Sequence, residues 1–157
     1  MQLLTFTVAG QPYAVESRTV VEVLPLVPAR PIPHAPDYVR GIFSCRGRLL
    51  PLVDLGLRLA GRPPRERLST RVIVVEFAPP DGGPPVRMGL VAEDVIAIRA
   101  AEDAAAELPA LGIPGAPYLG RTLRMSDGVV QVLDPARLLP ADLAAGLFPR
   151  PAPALQP

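Results

Sequence analysis

Apolar and polar residues alternate along this chain in bursts of strand length. Leu4, Phe6 and Val8 alternate with Thr5 and Thr7, the period-2 pattern of a strand with one buried face. A turn at Gly10-Gln11-Pro12 lets Tyr13, Ala14, Val15 and Glu16 return as a second strand. Ser17 is placed to cap one helical turn before a third burst over residues 20–24. Prolines at 25, 28, 31, 33 and 36 then exclude helix and leave few backbone donors, so residues 25–36 read as an extended surface connection.

The next elements come in pairs. Residues 39–44 and 48–53 flank a turn at Cys45-Arg46-Gly47, and Asp54 is set to cap a short helix over 55–60, ended by Gly61 and Pro63-Pro64. Residues 71–77 are rich in β-branched side chains and read as a central strand, turned by Asp81-Gly82-Gly83 into a partner over 86–91. A further strand is expected over 95–98, and the Ala- and Glu-rich residues 101–110 read as a weak helix or a loop. Residues 118–125 and 129–133 flank Ser126-Asp127-Gly128, a strong hairpin signal. Asp134-Pro135 opens a helical segment through 139, and a last short helix is expected over 142–147. Nine or ten short strands with minor short helices predict an all-β fold, barrel or sandwich, with no internal repeat of fixed period.

Composition narrows the function classes. At 157 residues and 49% hydrophobic, the chain suits one domain with a real core, read as residues 1–147 with a Pro/Ala-rich, flexible tail over 148–157. Sixteen basic residues, all Arg, against 15 acidic leave a net charge of +1, which weighs against a nucleic-acid binder or a polybasic membrane-surface protein. The apolar runs fall far short of the ~20 residues of a membrane span, and the N-terminus lacks a basic n-region, so neither membrane insertion nor secretion is expected. One Cys and one His cannot form an internal disulfide or a structural zinc site. A cytoplasmic protein without metal or cofactor is the expectation. The 22 prolines would suit disorder, but disordered tracts lack such recurring apolar bursts.

Catalytic equipment is thin. His34 lies in the proline-rich connection with no recognisable nucleophile to serve and reads as an exposed structural residue. Cys45 sits beside Arg46 and Arg48, a setting that could lower its pKa, yet the only His belongs to a different loop. No glycine-rich phosphate motif occurs. The acidic pairs Glu93-Asp94 and Glu102-Asp103 would point to opposite faces of a strand, and read as solvated positions that cannot share a ligand.

One segment is more specific than periodicity. It runs Tyr38-Val39-Arg40-Gly41-Ile42-Phe43-Ser44-Cys45-Arg46-Gly47-Arg48-Leu49-Leu50-Pro51-Leu52-Val53-Asp54-Leu55. This resembles the CheW family of chemosensory coupling proteins, with its Gly-Val-x-Asn-x-Arg-Gly-x-x-x-Pro-Val-x-Asp-Leu run. Agreement extends to Phe6, Gly10, Tyr13-Ala14-Val15 and Val20-x-Glu22-Val23 upstream. Downstream it takes in Thr70, Val72-Ile73-Val74, Gly89-Leu90-Val91, Val95, Tyr118-Leu119-Gly120 and Leu138-Leu139, so it covers about residues 2–140.

The resemblance implies two small SH3-like β-barrels packed on a shared hydrophobic core. It also implies a non-enzymatic adaptor joining the hairpin tip of methyl-accepting chemoreceptors to the regulatory domain of a CheA-type histidine kinase. Carried over by position, receptor contacts fall on Val20, Gly41, Arg46 and Val72, with Glu22 close by. Kinase-facing apolar residues are placed at Ile98 or Leu50. An apolar groove for a helix, with Arg to fix its register through bidentate bonds, suits that task. Val20 and Val72 would serve equally as core, Gly41 as a bulge or close approach, and Arg46 could merely pair with Asp54 or Glu22. Ser44 replaces the usual Asn and Ala92-Glu93 the usual Val-Asp, departures that suggest an alternative chemosensory pathway, such as surface attachment or second-messenger control. Two other readings compete: a decoy that binds kinase or receptor without coupling them, and a β-barrel enzyme or small-molecule binder using Cys45.

Overall fold

The computed structural model describes residues 1–96, 98–100 and 107–149. Its strands are β1 (Gln2–Val8), β2 (Gln11–Glu16), β3 (Val20–Pro25), β4 (Val39–Cys45), β5 (Arg48–Asp54) and β6 (Arg71–Phe77). They continue as β7 (Val86–Ala92), β8 (Ile98–Ala100), β9 (Glu107–Leu108), β10 (Leu119–Met125) and β11 (Gly128–Leu133). The α-helices are α1 (Leu55–Ala60) and α2 (Ala141–Leu147). The strands form two sheets, ordered β8-β1-β2-β11-β10-β9 and β3-β6-β7-β5-β4, an all-β arrangement that fits two SH3-like barrels.

Residues 72–75 of β6 are buried on both faces, which explains why they are continuously apolar. Ile73 and Val75 join Leu4, Phe6, Val15, Val53 and Leu90 in a core shared by both sheets. Val72 and Val74 point the other way, into the second barrel, with Phe43, Leu50, Leu52 and Val91. Leu3, Ala14, Leu123, Val130 and Val132 fill the first barrel.

The two barrels repeat one topology. In each, a hairpin (β4–β5 or β10–β11) pairs in parallel with a strand (β7 or β2) that belongs to an antiparallel pair. Tyr38 and Tyr118 open the hairpins and Asp54 and Asp134 close them, the second of each pair 80 positions after the first. Asp54 N donates to Tyr38 O at 2.7 Å, and Asp134 N to Tyr118 O at 2.8 Å. Cys45 and Met125, Leu50 and Val130, and Leu52 and Val132 obey the same offset and fill equivalent interior positions. The expectation of no internal repeat is thus overturned, because the repeat survives in residue class and hardly at all in identity. Arg58 of α1 sits between the halves, 5.1 Å from the Tyr38 ring centroid and 4.8 Å from that of Tyr118, and its Nε donates to Leu138 O at 2.8 Å.

Several local expectations shift. Asp54 does cap α1, accepting from Leu57 N at 3.0 Å, and Gly61 ends it at φ +68°. Ser17 caps nothing: it opens a 3-10 turn, Ser17–Thr19, and the Thr19 hydroxyl donates back to Glu16 O at 2.8 Å. The segment after Asp134 tightens to a 3-10 turn, Pro135–Arg137, rather than a helix through 139. The strand expected over 95–98 begins only at Ile98, and Glu107–Leu108 pairs with β10 where helix or loop was expected. Residues 101–106, including Glu102-Asp103, lie outside the described residues, as does the tail from 150. Phe148, expected in that tail, instead packs edge-on against Phe77 at 6.0 Å. The proline-rich connection is not purely surface. Leu26, Val27 and Ala29 pack on the second barrel's core. Arg30 exchanges two backbone hydrogen bonds with Ile42, at 2.8 and 2.9 Å, and so brings the edges of that sheet together.

Candidate functional site

The tip of the β4–β5 hairpin is a two-residue turn with φ +50° at Arg46 and +77° at Gly47. Both signs match the right-handed twist of the strands, and glycine meets the second at no steric cost. An arginine at the first is uncommon for a non-glycine residue. The turn stands opposite Glu22 on β3. Arg46 Nε lies 3.0 and 3.2 Å from the two carboxylate oxygens, and Nη2 lies 2.9 Å from the second. Cys45 Sγ donates to the same carboxylate at 3.3 Å. The Arg46 side chain keeps 78% of its surface exposed while Glu22 keeps 18%, so the carboxylate anchors and the guanidinium faces solvent.

The charges respond to this geometry. The hydrogen bond from Arg46, and next that from Cys45, hold the Glu22 carboxyl below its ordinary 4.5. Burial, and next the bond to Glu22, push the Cys45 thiol above its ordinary 9.0. The expected lowering by neighbouring arginines is therefore reversed: the thiol is buried beside a carboxylate that opposes its ionisation.

The other candidate residues divide between surface and interior. Val20 lies two residues before Glu22 on β3, but the β3–β6 register shifts between them, so Val20 pairs with Val75 and is half-buried against the shared core, whereas Glu22 pairs with Val74. Gly41, at φ +139°, is both a bulge and a close approach: a Cβ there would stand 1.9 Å from Arg30 O, and the β4–β5 register shifts beside it. Val72 is fully buried and Leu50 nearly so, so neither presents surface to a partner. Ile98 is 58% exposed, on the edge strand β8 of the other sheet. Asp54, the alternative partner of Arg46, is taken by Arg40 at 2.9 Å. Among the exposed apolar residues that the sequence reading did not place at the surface are Val21 and Val23, on the opposite face of β3 from Glu22, and Leu49, beside the tip. Residues 20–24 are apolar on both faces, so alternation there could not separate outside from inside. His34 is exposed in a turn at φ +64°.

The CheW-like domain profile matches residues 2–142 of the 157. The chain belongs to the CheW-like domain family. The chemotaxis protein CheW of Rhizobium meliloti is 40% identical over 74 residues, 47% of this chain and 47% of that protein. The chemotaxis protein CheW of Helicobacter pylori is 28% identical over 75 residues, 48% of this chain and 46% of its own. The matched segment spans about half the length of these CheW relatives. The crystal structure of the scaffolding protein TtCheW from Thermoanaerobacter tengcongensis superposes with a TM-score of 0.75 at 20% identity, over 90% of this chain and 88% of that one. That likeness establishes the CheW fold. Among the described residues, no helix is long and apolar enough to cross a membrane.

Proposed function

We propose that this chain is a non-enzymatic chemosensory adaptor of the cytoplasm, coupling the hairpin tip of a methyl-accepting chemoreceptor to the regulatory domain of a CheA-type histidine kinase. The observation that carries the reading is Arg46, largely exposed on a hairpin tip and oriented by Glu22 behind it. A planar guanidinium held on one edge keeps further donors for carboxylates or carbonyls of a docking helix. Val20 flanks that contact, and Gly41 sets the backbone that carries it. Val72 and Leu50 act from beneath, as packing that holds β6 and β5 in place. Ile98, on the other barrel, is the candidate for the kinase. The buried thiol, raised rather than lowered in pKa, speaks against Cys45 as a nucleophile.

The test is binding of the chain to the kinase regulatory domain and to a receptor hairpin, with wild type beside Arg46→Ala. Receptor binding weakened at least about tenfold, with kinase binding retained, is expected for a central arginine contact. Equal receptor binding by both proteins would remove Arg46 from the interface. A titration of receptor-controlled kinase activity separates adaptor from decoy, because only an adaptor raises that activity over some range.

A further inference from the structure

Where the two barrels meet, the β1–β2 turn, the first turn of α1, the 62–67 loop and the stretch from the end of β7 line a cavity of about 600 Å³. Its volume falls within the range of small-molecule sites. Arg62, Arg65, Arg67, Glu93 and Asp94 all line it. The expectation that these two carboxylates diverge fails here, because Glu93 makes only an isolated bridge to Thr7 and Asp94 stands at φ +51°, out of strand geometry.

Groups of opposite charge around one cavity would ordinarily pair. These do not. Glu93 accepts the backbone N–H of Arg65 at 2.5 Å, and Asp94 accepts the hydroxyls of Thr7 at 2.7 Å and Ser69 at 3.4 Å. Among the described residues, the guanidinium groups of Arg62, Arg65 and Arg67 have no ion-pair or hydrogen-bond partner. The acids are thus satisfied by neutral donors while the cations are left over.

The loop that carries the arginines is held firmly. Pro63-Pro64 restrict its backbone. Gly56 lies so close beneath it that a Cβ would stand 2.3 Å from Arg62 O. Buried Thr70 accepts from Arg67 N at 3.1 Å and donates to Arg65 O. Phosphate oxygens match the guanidinium fork, and carboxylates accept from amino, amide or hydroxyl donors.

We propose that this cavity is a second binding site, sharing no residue with the Arg46–Glu22 contact, for a small phosphorylated ligand carrying hydrogen-bond donors at its other end. A nucleoside monophosphate is the simplest probe of that class. Its phosphate lies against the arginines and its donors against Glu93 and Asp94. No glycine-rich cradle is required, because side chains supply the positive charge.

The test titrates the full chain by calorimetry with guanosine 5′-monophosphate and, separately, inorganic phosphate. The nucleotide is expected to bind with one-to-one stoichiometry and about tenfold tighter than phosphate, since only it also carries donors for Glu93 and Asp94. Arg65→Gln with Arg67→Gln weakens it about tenfold through lost charge-assisted bonds. The charge-matched control, Arg18→Gln with Arg124→Gln, changes it by less than about twofold because those residues lie outside the cavity. All four arginines are exposed, so an unchanged amide NMR spectrum verifies folding. Absence of binding overturns the proposal. So does equal weakening by the control pair, which indicates general charge attraction, or inorganic phosphate binding as tightly as the nucleotide, which leaves only a basic patch.

Discussion

Hairpins β4–β5 and β10–β11 hold equivalent places in the two barrels, and the ion pairs at their tips run in opposite senses. In the first, the cation is on the turn (Arg46) and the anion on the edge strand β3 (Glu22). In the second, the anion is on the turn (Asp127) and the cation on the edge strand β8 (Arg99), joined at 2.9 and 3.0 Å. Both pairs tie an edge strand to a hairpin at the mouth of a barrel. Closure evidently accepts either polarity, and exposed pairs contribute little to stability in any case. The polarity is therefore free to follow function. The first tip presents a cation with 78% of its side chain open, whereas Arg99 keeps 34%.

Glycine tests the comparison most severely. Gly41 stands at φ +139° with Arg30 O only 1.9 Å from a would-be Cβ, because Arg30 closes the first hairpin's barrel there. Gly120 on β10 has Val132 O at 3.0 Å and no positive φ. Gly41→Ala is expected to cost about 3 kcal/mol or more, from the clash and the backbone strain together. Gly120→Ala is expected to cost about 1 kcal/mol. Urea denaturation measures both, and equal costs would mean that the Arg30 closure does not constrain the barrel of β4 and β5.

The next effect lies where the halves meet. Arg58→Ala removes two ring contacts and the bond to Leu138 O, for an expected loss of about 2 kcal/mol. Arg137, paired with Asp134 only at 3.7 Å on the surface, should cost under about 0.5 kcal/mol when replaced by Ala. Similar midpoints for the two variants would deny Arg58 its role between the barrels.

These features mark how far the sequence could be read. Alternation in β1 and turn chemistry at Gly10, Gly47 and Gly128 exposed most strands, because local pattern and tertiary burial agree there. The edge strands β8 and β9, three and two residues long, are too short to carry a period. Of the paired positions across the hairpins, Tyr38 and Asp54 recur as Tyr118 and Asp134, while interior positions trade Cys for Met or Leu for Val, so the duplication shows only in three dimensions. The family motif led to Arg46 and Glu22. Their contact crosses the closed barrel and has no linear signature. Leu49 and Leu50 are adjacent and alike, yet the pleat sends one outward and the other into the core. At Asp94 a positive φ, invisible in sequence, undid the assumption of strand alternation.

The smallest effect separates the two tips by proton titration. Glu22 is held below 4.5 by Arg46 first and Cys45 second, and Asp127 below 3.8 by Arg99 first and its own backbone second. A carboxyl depressed in the folded state contributes stability that is present above its unfolded pKa and is lost as pH falls through the lowered folded value. Each pair should therefore persist as the pH is lowered past those ordinary values and loosen only beneath them, as followed by side-chain carboxyl NMR shifts. Cys45→Ala removes one donor from Glu22 alone. Its titration midpoint should rise toward 4.5 while that of Asp127 stays fixed. A Glu22 midpoint unmoved by Cys45→Ala would show that the guanidinium alone sets the charge behind Arg46, and the two tips would then differ only in polarity.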